Sequence, residues 1–208
     1  MTNELAELIA TSLAFVNQHP AHDLNLGYRQ AIWKTLNKTD TGESTSIGHQ
    51  RRTILAIDTV RFVLPIWQDV FPNDDMPEQI LKEAMLVMQG KIEEEDALKN
   101  LNDYYEYVHT LMLRSKSMAT AVAYAAIKAL EVAISDEIFD EDEIDYNITD
   151  KEDFECNDTT FFAAVAYANG PVWEIMAALI PDSLKRKEVW EWWLTSAVPK
   201  VYKTASYI

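Results

Sequence analysis

The 208-residue sequence has few of the residues that make turns and disulfide bridges, and it lacks long hydrophobic runs. Five glycines and seven prolines are too few for the many turns of a β-sandwich or barrel. The single cysteine, Cys156, cannot form an internal disulfide bond. The richest apolar stretch, residues 118–134, is interrupted by Lys128 and Glu131, so it does not predict a membrane span. We therefore expect a soluble protein made mainly of long helices.

Positive charge is also scarce. Eighteen lysines and arginines face 34 aspartates and glutamates, which gives a formal net charge of −16. Nucleic acids and anionic membranes bind to positively charged protein surfaces, so we do not expect this protein to bind either of them directly. The amino terminus has no basic stretch before its apolar residues and carries Glu4 and Glu7, which is unlike a signal peptide. The cytoplasm is therefore the expected location.

Apolar residues recur at three- and four-residue steps along most of the chain, which predicts an all-α fold. We expect one domain over residues 1–208, an irregular bundle of about eight helices with one acidic loop. The alanine-rich helix should be central because small side chains let neighbouring backbones approach closely. Pro65 should kink its helix, and residues 37–44 should form a loop. The predicted helices span residues 3–18, 26–36, 51–70, 77–89, 93–113, 117–134, 159–168 and 184–198.

Residues 131–158 differ from the rest of the chain. They contain 13 acidic residues and one base, Lys151, which gives this stretch a net charge of −12. Apolar and aromatic residues lie among the acids, and a solvated loop does not need them. Acidic residues with apolar anchors would complement a basic surface on a partner. From this insertion-like part, residues 136–158, we select Phe139, Asp140, Glu141, Asp142, Glu143, Asp145 and Tyr146 as candidate partner-binding residues.

Trp192 is the remaining candidate. On a helix, Trp190 and Trp193 share a face, whereas Trp192 points roughly 100° or more away from it. Trp192 should therefore either pack against the acidic loop or remain exposed for binding. The side chains predicted to be buried, because each lies on the apolar face of a periodic segment, are Trp67, Leu130, Phe162, Trp190 and Trp193.

Catalytic signals are weak. Glu106 and His109 have the Glu-x-x-His spacing of di-iron bundles, but such a site needs the motif twice and it occurs once. The sequence has no Gly-x-Ser-x-Gly nucleophile motif and no glycine-rich phosphate loop. We therefore predict no catalytic residue, metal or cofactor. A metal-dependent helical enzyme that uses Glu106 and His109, or a helical adaptor, remains open as an alternative.

Several blocks of sequence resemble a known family. The blocks are residues 63–77 (VLPIWQDVFPNDDMP), the alanine-rich helix after Ser117, residues 162–168 (FAAVAYA) and residues 189–199 (VWEWWLTSAVP). In this order they resemble the predicted all-α immunity proteins of bacterial polymorphic toxin systems, in particular the fifth immunity family. This chain departs from the pattern in having Met76 where a basic residue is expected, and in the length of its acidic loop.

The resemblance implies inhibition of a toxin by binding, with no catalysis. We therefore expect a cytoplasmic, non-enzymatic immunity protein that masks the active site of a cognate toxin. A basic, nuclease-like cleft is the kind of toxin surface that the acidic loop would complement. The resemblance assigns no binding residues.

Overall fold

The computed structural model describes residues 1–39, 42–115, 117–135, 144–152, 158–172 and 180–203. These residues form helices and one short antiparallel hairpin, so the predicted all-α bundle is confirmed. The elements are α1 (Asn3–Gln18), α2 (Leu26–Thr35), β1 (Lys38–Thr39), β2 (Gly42–Glu43), α3 (Thr45–Val70), α4 (Met76–Met88), α5 (Glu94–Ser115), α6 (Thr120–Ile134), α7 (Thr159–Tyr167), α8 (Ser183–Trp192), a π-helical turn (Trp193–Ala197) and α9 (Val198–Lys203).

The start of α3 differs from the prediction. The stretch 37–44, expected to be only a loop, contains the β1–β2 hairpin, and α3 begins at Thr45 instead of Arg51. Ser44 supplies the physical reason, because its Oγ accepts a hydrogen bond from the N–H of Ile47 at 3.3 Å. Such a cap satisfies a donor that the first helical turn leaves unpaired. The sequence pattern missed this turn because its residues are mostly polar.

Helix α3 continues through Pro65 to its end at Val70. Proline removes one hydrogen bond, the one that the carbonyl oxygen of Arg61 would accept. Arg61 and Pro65 are both exposed, so water can solvate that carbonyl group. The helix therefore tolerates the proline without ending there.

The alanine-rich helix α6 is central, as predicted. It packs against α3, α4, α5 and α7. Ala123, Ala125, Ala126 and Ala129 are all 0% exposed, as is Leu130. Small side chains permit this close approach on several faces of one helix.

The carboxyl-terminal helices form a continuous rod with one wide turn. Helix α8 is capped by Asp182, whose Oδ1 accepts from the N–H of Leu184 at 3.0 Å. In the π-helical turn, the N–H of Val198 donates to the carbonyl oxygen of Trp193, five residues earlier. Pro199 follows directly and has no N–H to continue the ordinary pattern, which favours a wide turn here.

Four of the five side chains predicted to be buried are completely buried: Trp67, Leu130, Trp190 and Trp193. Phe162 is the exception and is only half-buried. Its neighbour Phe161, 5% exposed, takes the core position. Phe162 instead stacks on Tyr124, with ring centroids 5.4 Å apart. The prediction chose the wrong one of two adjacent phenylalanines, which point about 100° apart on a helix.

Candidate partner-binding surface

The later part of residues 131–158, called the acidic segment below, is fixed to the helices by Arg29 of α2. The Arg29 side chain is 0% exposed and that of Asp150 only 2%. Nη1 of Arg29 donates to Asp150 Oδ2 at 3.0 Å, and Nε of Arg29 donates to Asp158 Oδ2 at 2.9 Å. Oδ1 of Asp158 also accepts from the N–H of Thr160 at 2.6 Å, which caps α7. These two acids hold the fold together and are not available to a partner.

A second buried guanidinium, that of Arg186 on α8, pairs with Asp23 just before α2. Nη1 of Arg186 lies 3.5 Å from Oδ1 of Asp23, and Trp190 Nε1 donates to that same oxygen at 3.0 Å. Burial raises the pKa of Asp23 above its ordinary value, and the nearby Arg186 opposes this shift. The Arg29 guanidinium carbon lies 5.6 Å from the centre of the Trp190 ring, which connects the two ion pairs.

The backbone of the acidic segment lies directly on α2 at Asp145 and Tyr146. A Cβ at Gly27 would lie 2.3 Å from the carbonyl oxygen of Asp145 and 2.8 Å from the Cα of Tyr146. Only glycine fits at that position without a shift of the backbone. Asn25 Nδ2 donates to the carbonyl oxygen of Tyr146 at 3.0 Å. These contacts position the two residues independently of the Arg29 ion pairs.

Four rings form a continuous row from α1 to the acidic segment. Neighbouring ring centroids lie 5.6 Å apart for His19 and Phe15, 4.7 Å for Phe15 and Tyr28, and 4.9 Å for Tyr28 and Tyr146. Tyr146 at the end of this aromatic row is 42% exposed. Nδ1 of His19 accepts from the backbone N–H of Asp23 at 3.1 Å, which orients the ring at the opposite end.

The structure describes three of the eight predicted partner-binding residues. Asp145 and Tyr146 are exposed, as a contact role requires. Trp192 is half-buried and stacks on Phe62 of α3, with centroids 4.0 Å apart and planes at 13°. No residue of the described part of the acidic loop contributes to that stack. The other predicted residues, Phe139, Asp140, Glu141, Asp142 and Glu143, lie outside the described residues.

Sequence reasoning missed Phe15, Tyr28 and Arg29. Arg29 gave one usable signal, because it is the only charged residue between Asp23 and Lys34 in a largely apolar stretch. A lone arginine in such a place predicts a carboxylate partner, since buried charges are normally paired. The pattern could not say which of the distant acids pairs with it. Phe15 and Tyr28 carried no signal beyond helix periodicity.

Glu106 and His109, the pair considered for a metal enzyme, are both exposed on the outer face of α5. Within the described ranges, no three His, Cys, Asp or Glu side chains are grouped so that they could hold a metal ion. The two residues share a helix face, as their spacing predicts, but the described structure brings no further ligand to them.

Helix α5 is attached to the bundle partly through tyrosine–carboxylate hydrogen bonds. Tyr104 donates to Glu83 Oε2 at 2.7 Å, and Tyr105 donates to Glu131 Oε1 at 2.6 Å. Burial, and then the hydrogen bond to Glu83, raises the pKa of Tyr104 to about 12. Lys128 also donates to Glu131, at 2.8 Å. Glu131 is therefore a third acid of residues 131–158 whose charge is engaged within the fold.

None of the helices in the described ranges combines the length and the apolar character needed to cross a membrane. A search of the curated proteins found no match to this chain. A scan of protein families matched residues 9–200 to the family described as Immunity protein Imm5. The match covers most of the chain, including all four residues of the aromatic row, and it confirms the resemblance seen in the sequence blocks. This chain therefore belongs to the Imm5 family of immunity proteins.

Proposed function

We propose that this chain neutralises a cognate toxin by binding to it, without catalysis, and that the acidic segment masks the toxin's active site. Family membership supports a toxin as the partner. The observation that carries the choice of surface is the exposure of Tyr146 on a backbone packed tightly against α2. The contact residues that we assign are Phe139, Asp140, Glu141, Asp142, Glu143, Asp145, Tyr146 and Trp192.

Tyr146 has the properties of a binding anchor. A tyrosine ring offers a large contact area and loses little conformational freedom, because it has only two side-chain torsions. The contact with Tyr28 restricts the ring further before any partner arrives. Anchors of this kind dominate the energy of protein interfaces. Tyr146 should therefore mainly determine how slowly the complex dissociates.

The exposed acids of the segment have a different role. Asp150, Asp158 and Glu131 are engaged by Arg29 and Lys128, so less than the net −12 is offered to a partner. The unengaged carboxylates can attract a basic toxin surface before contact and raise the association rate. Nucleases handle polyanions and have basic clefts, so a nuclease-like toxin is the class that we favour.

The first experiment compares two exposed tyrosines in their effect on binding to the cognate toxin. Tyr146 is 42% exposed and Tyr107, on α5, is 47% exposed. Y146A should speed dissociation of the complex and reduce the survival of bacteria that co-express the toxin, whereas Y107A should change neither. Equal effects of the two substitutions would contradict the assigned surface.

The second experiment neutralises charge. Changing the five carboxylates of residues 140–145 to amides should slow association and weaken its dependence on salt, with little change in dissociation. Neutralising five exposed carboxylates of α5 is the matched control. Unchanged association for the first set, or an equal change for both, would assign these acids to solubility alone. The control set is Glu94, Glu95, Asp96, Asp103 and Glu106.

Stoichiometry tests the absence of catalysis. An inhibitor that works by binding must occupy each toxin molecule, so toxin activity should reach its minimum at one immunity protein per toxin. Denaturing the complex and refolding the toxin alone should restore its activity. Inactivation of a large excess of toxin by this chain, or a covalently changed toxin after the reaction, would contradict the proposal.

A further inference from the structure

We infer that Tyr146, Tyr28 and Asp145 together recognise a single basic side chain of the partner, an arginine. This inference rests on the proposed function and deepens it, because it names the chemistry of the group that the surface receives. It depends on three features: the exposed aromatic surface, unpaired acceptor atoms and a backbone that is already in place.

The aromatic surface comes from two rings at the end of the aromatic row. Tyr28 and Tyr146 meet edge to face, with an interplanar angle of 68°. Because 42% of Tyr146 remains exposed, part of the ring is open to a flat cation. Guanidinium groups stack on aromatic faces more readily than ammonium groups do, since they are planar and less strongly hydrated.

The acceptor atoms are the two tyrosine hydroxyl groups and one carboxylate oxygen. No group in the described part of the chain forms a hydrogen bond with the hydroxyl of Tyr28 or Tyr146. Asp145 Oδ1 accepts from the N–H of Asn147 at 2.8 Å, whereas Oδ2 has no partner among the described residues. Burial raises the pKa of Tyr28, and the nearby Tyr146 raises it further. A guanidinium has five donors in a planar fork, so it can donate to more than one of these acceptors.

The local field also favours a cation. Glu152 lies close enough to Asp145 to interact with its charge. The hydrogen bonds that Glu152 Oε2 accepts from Thr149 lower the pKa of Glu152, so it stays ionised. Lys151 is the only base of the acidic segment, so the carboxylates around Tyr146 remain in excess.

The recognising groups do not need to be assembled when the partner arrives. Gly27 allows the backbone of Asp145 to lie against α2, and Asn25 holds the carbonyl group of Tyr146. The side chain of Asp145 is oriented by its bond to Asn147. A preorganised site avoids much of the entropy loss that accompanies binding.

The test uses a blocked tetra-arginine peptide as the probe and the full chain with isotope-labelled tyrosine rings. We expect saturable shifts of the Tyr28 and Tyr146 ring signals in nuclear magnetic resonance spectra. The neutral tetra-citrulline peptide should produce none, and tetra-lysine should bind more weakly. Ring signals that respond equally to citrulline, or do not respond to arginine, would overturn the inference.

Variants separate local recognition from the general acidity of the chain. D145N and Y146L should each weaken tetra-arginine binding about threefold to tenfold, as expected for the loss of one charge pair or one cation–π contact. D103N, which neutralises an exposed acid of α5, should have no such effect on the two ring signals. An equal loss in D103N and D145N would contradict a specific site.

Failure of this inference can be distinguished from failure of the proposed function. If Y146A abolishes toxin protection but Y146L and D145N both retain it, Tyr146 is an apolar anchor and the arginine site is wrong. If the wild-type chain gives no protection, the proposed function itself fails, whatever the peptide results.

Discussion

Replacing Arg29 with methionine should destabilise the protein strongly, because this one side chain neutralises a buried carboxylate, that of Asp150, and a partly buried one, that of Asp158. Asp150 and Asp158 are 2% and 14% exposed in their side chains, and Arg29 is 0% exposed. Methionine fills a similar space but offers neither charge nor a hydrogen-bond donor. Removing one partner of a buried ion pair costs about 3–5 kcal/mol, since the remaining charge stays buried without compensation. That is a large part of a total stability of about 5–15 kcal/mol.

Urea unfolding followed by tryptophan fluorescence measures this change. The control is K187M, which removes a partly exposed pair with Glu191 on α8 and should cost at most about 1 kcal/mol. Adding D150N to R29M should recover part of the loss, because the amide leaves no unpaired charge at residue 150. A cost for R29M no greater than that of K187M would refute the structural role given to Arg29.

Three further outcomes are expected. G27A should lower the stability measured by thermal unfolding, because the new Cβ would lie 2.3 Å from the carbonyl oxygen of Asp145. This clash should outweigh the helix preference of alanine, which is about 1 kcal/mol. A stabilised variant would contradict this packing. W67A should cost about 3–5 kcal/mol in urea unfolding, as for a fully buried aromatic side chain; a much smaller cost would show that the cavity collapses. Folding raises the pKa of Asp23 above its ordinary value of 3.8. The stabilisation that protonated Asp23 gives to the fold is therefore fully present below pH 3.8 and is lost as pH rises through the folded pKa. We therefore expect the difference in unfolding free energy between wild type and D23N to decrease as pH rises above 3.8. A difference that increases would contradict the raised pKa of Asp23.

The fold could largely be predicted from the sequence because its signals are local. Thr2 and Asp182 are residue types that favour helix starts, and their side chains cap α1 and α8. Gly90, a residue type that favours helix ends, follows α4 with a positive φ. The many alanines of α6 identified it as the central helix. The errors arose where local signals were ambiguous, as for adjacent Phe161 and Phe162, or where a cap lay in a polar stretch, as for Ser44.

The candidate surface was predictable only in part, because it depends on contacts between distant residues. The sequence shows that residues 131–158 are acidic, but acidic composition does not reveal which carboxylates are buried. Arg29 meets Asp150 and Asp158 only after folding, across more than a hundred residues of sequence. The aromatic row likewise joins Phe15, Tyr28 and Tyr146 from three separate elements.

Under the proposed function, the division of the acids into buried and exposed groups separates stability from recognition. Changing Asp150 or Asp158 would leave Arg29 without full compensation, so those positions are constrained by the fold. Exposed carboxylates such as Asp145 contribute little to stability, since water already solvates them. Replacing such carboxylates by neutral or basic residues would therefore change the charge offered to a toxin while the backbone that carries Tyr146 stays in place. On this proposal, association rate and partner preference can vary in this segment without loss of the bundle beneath it.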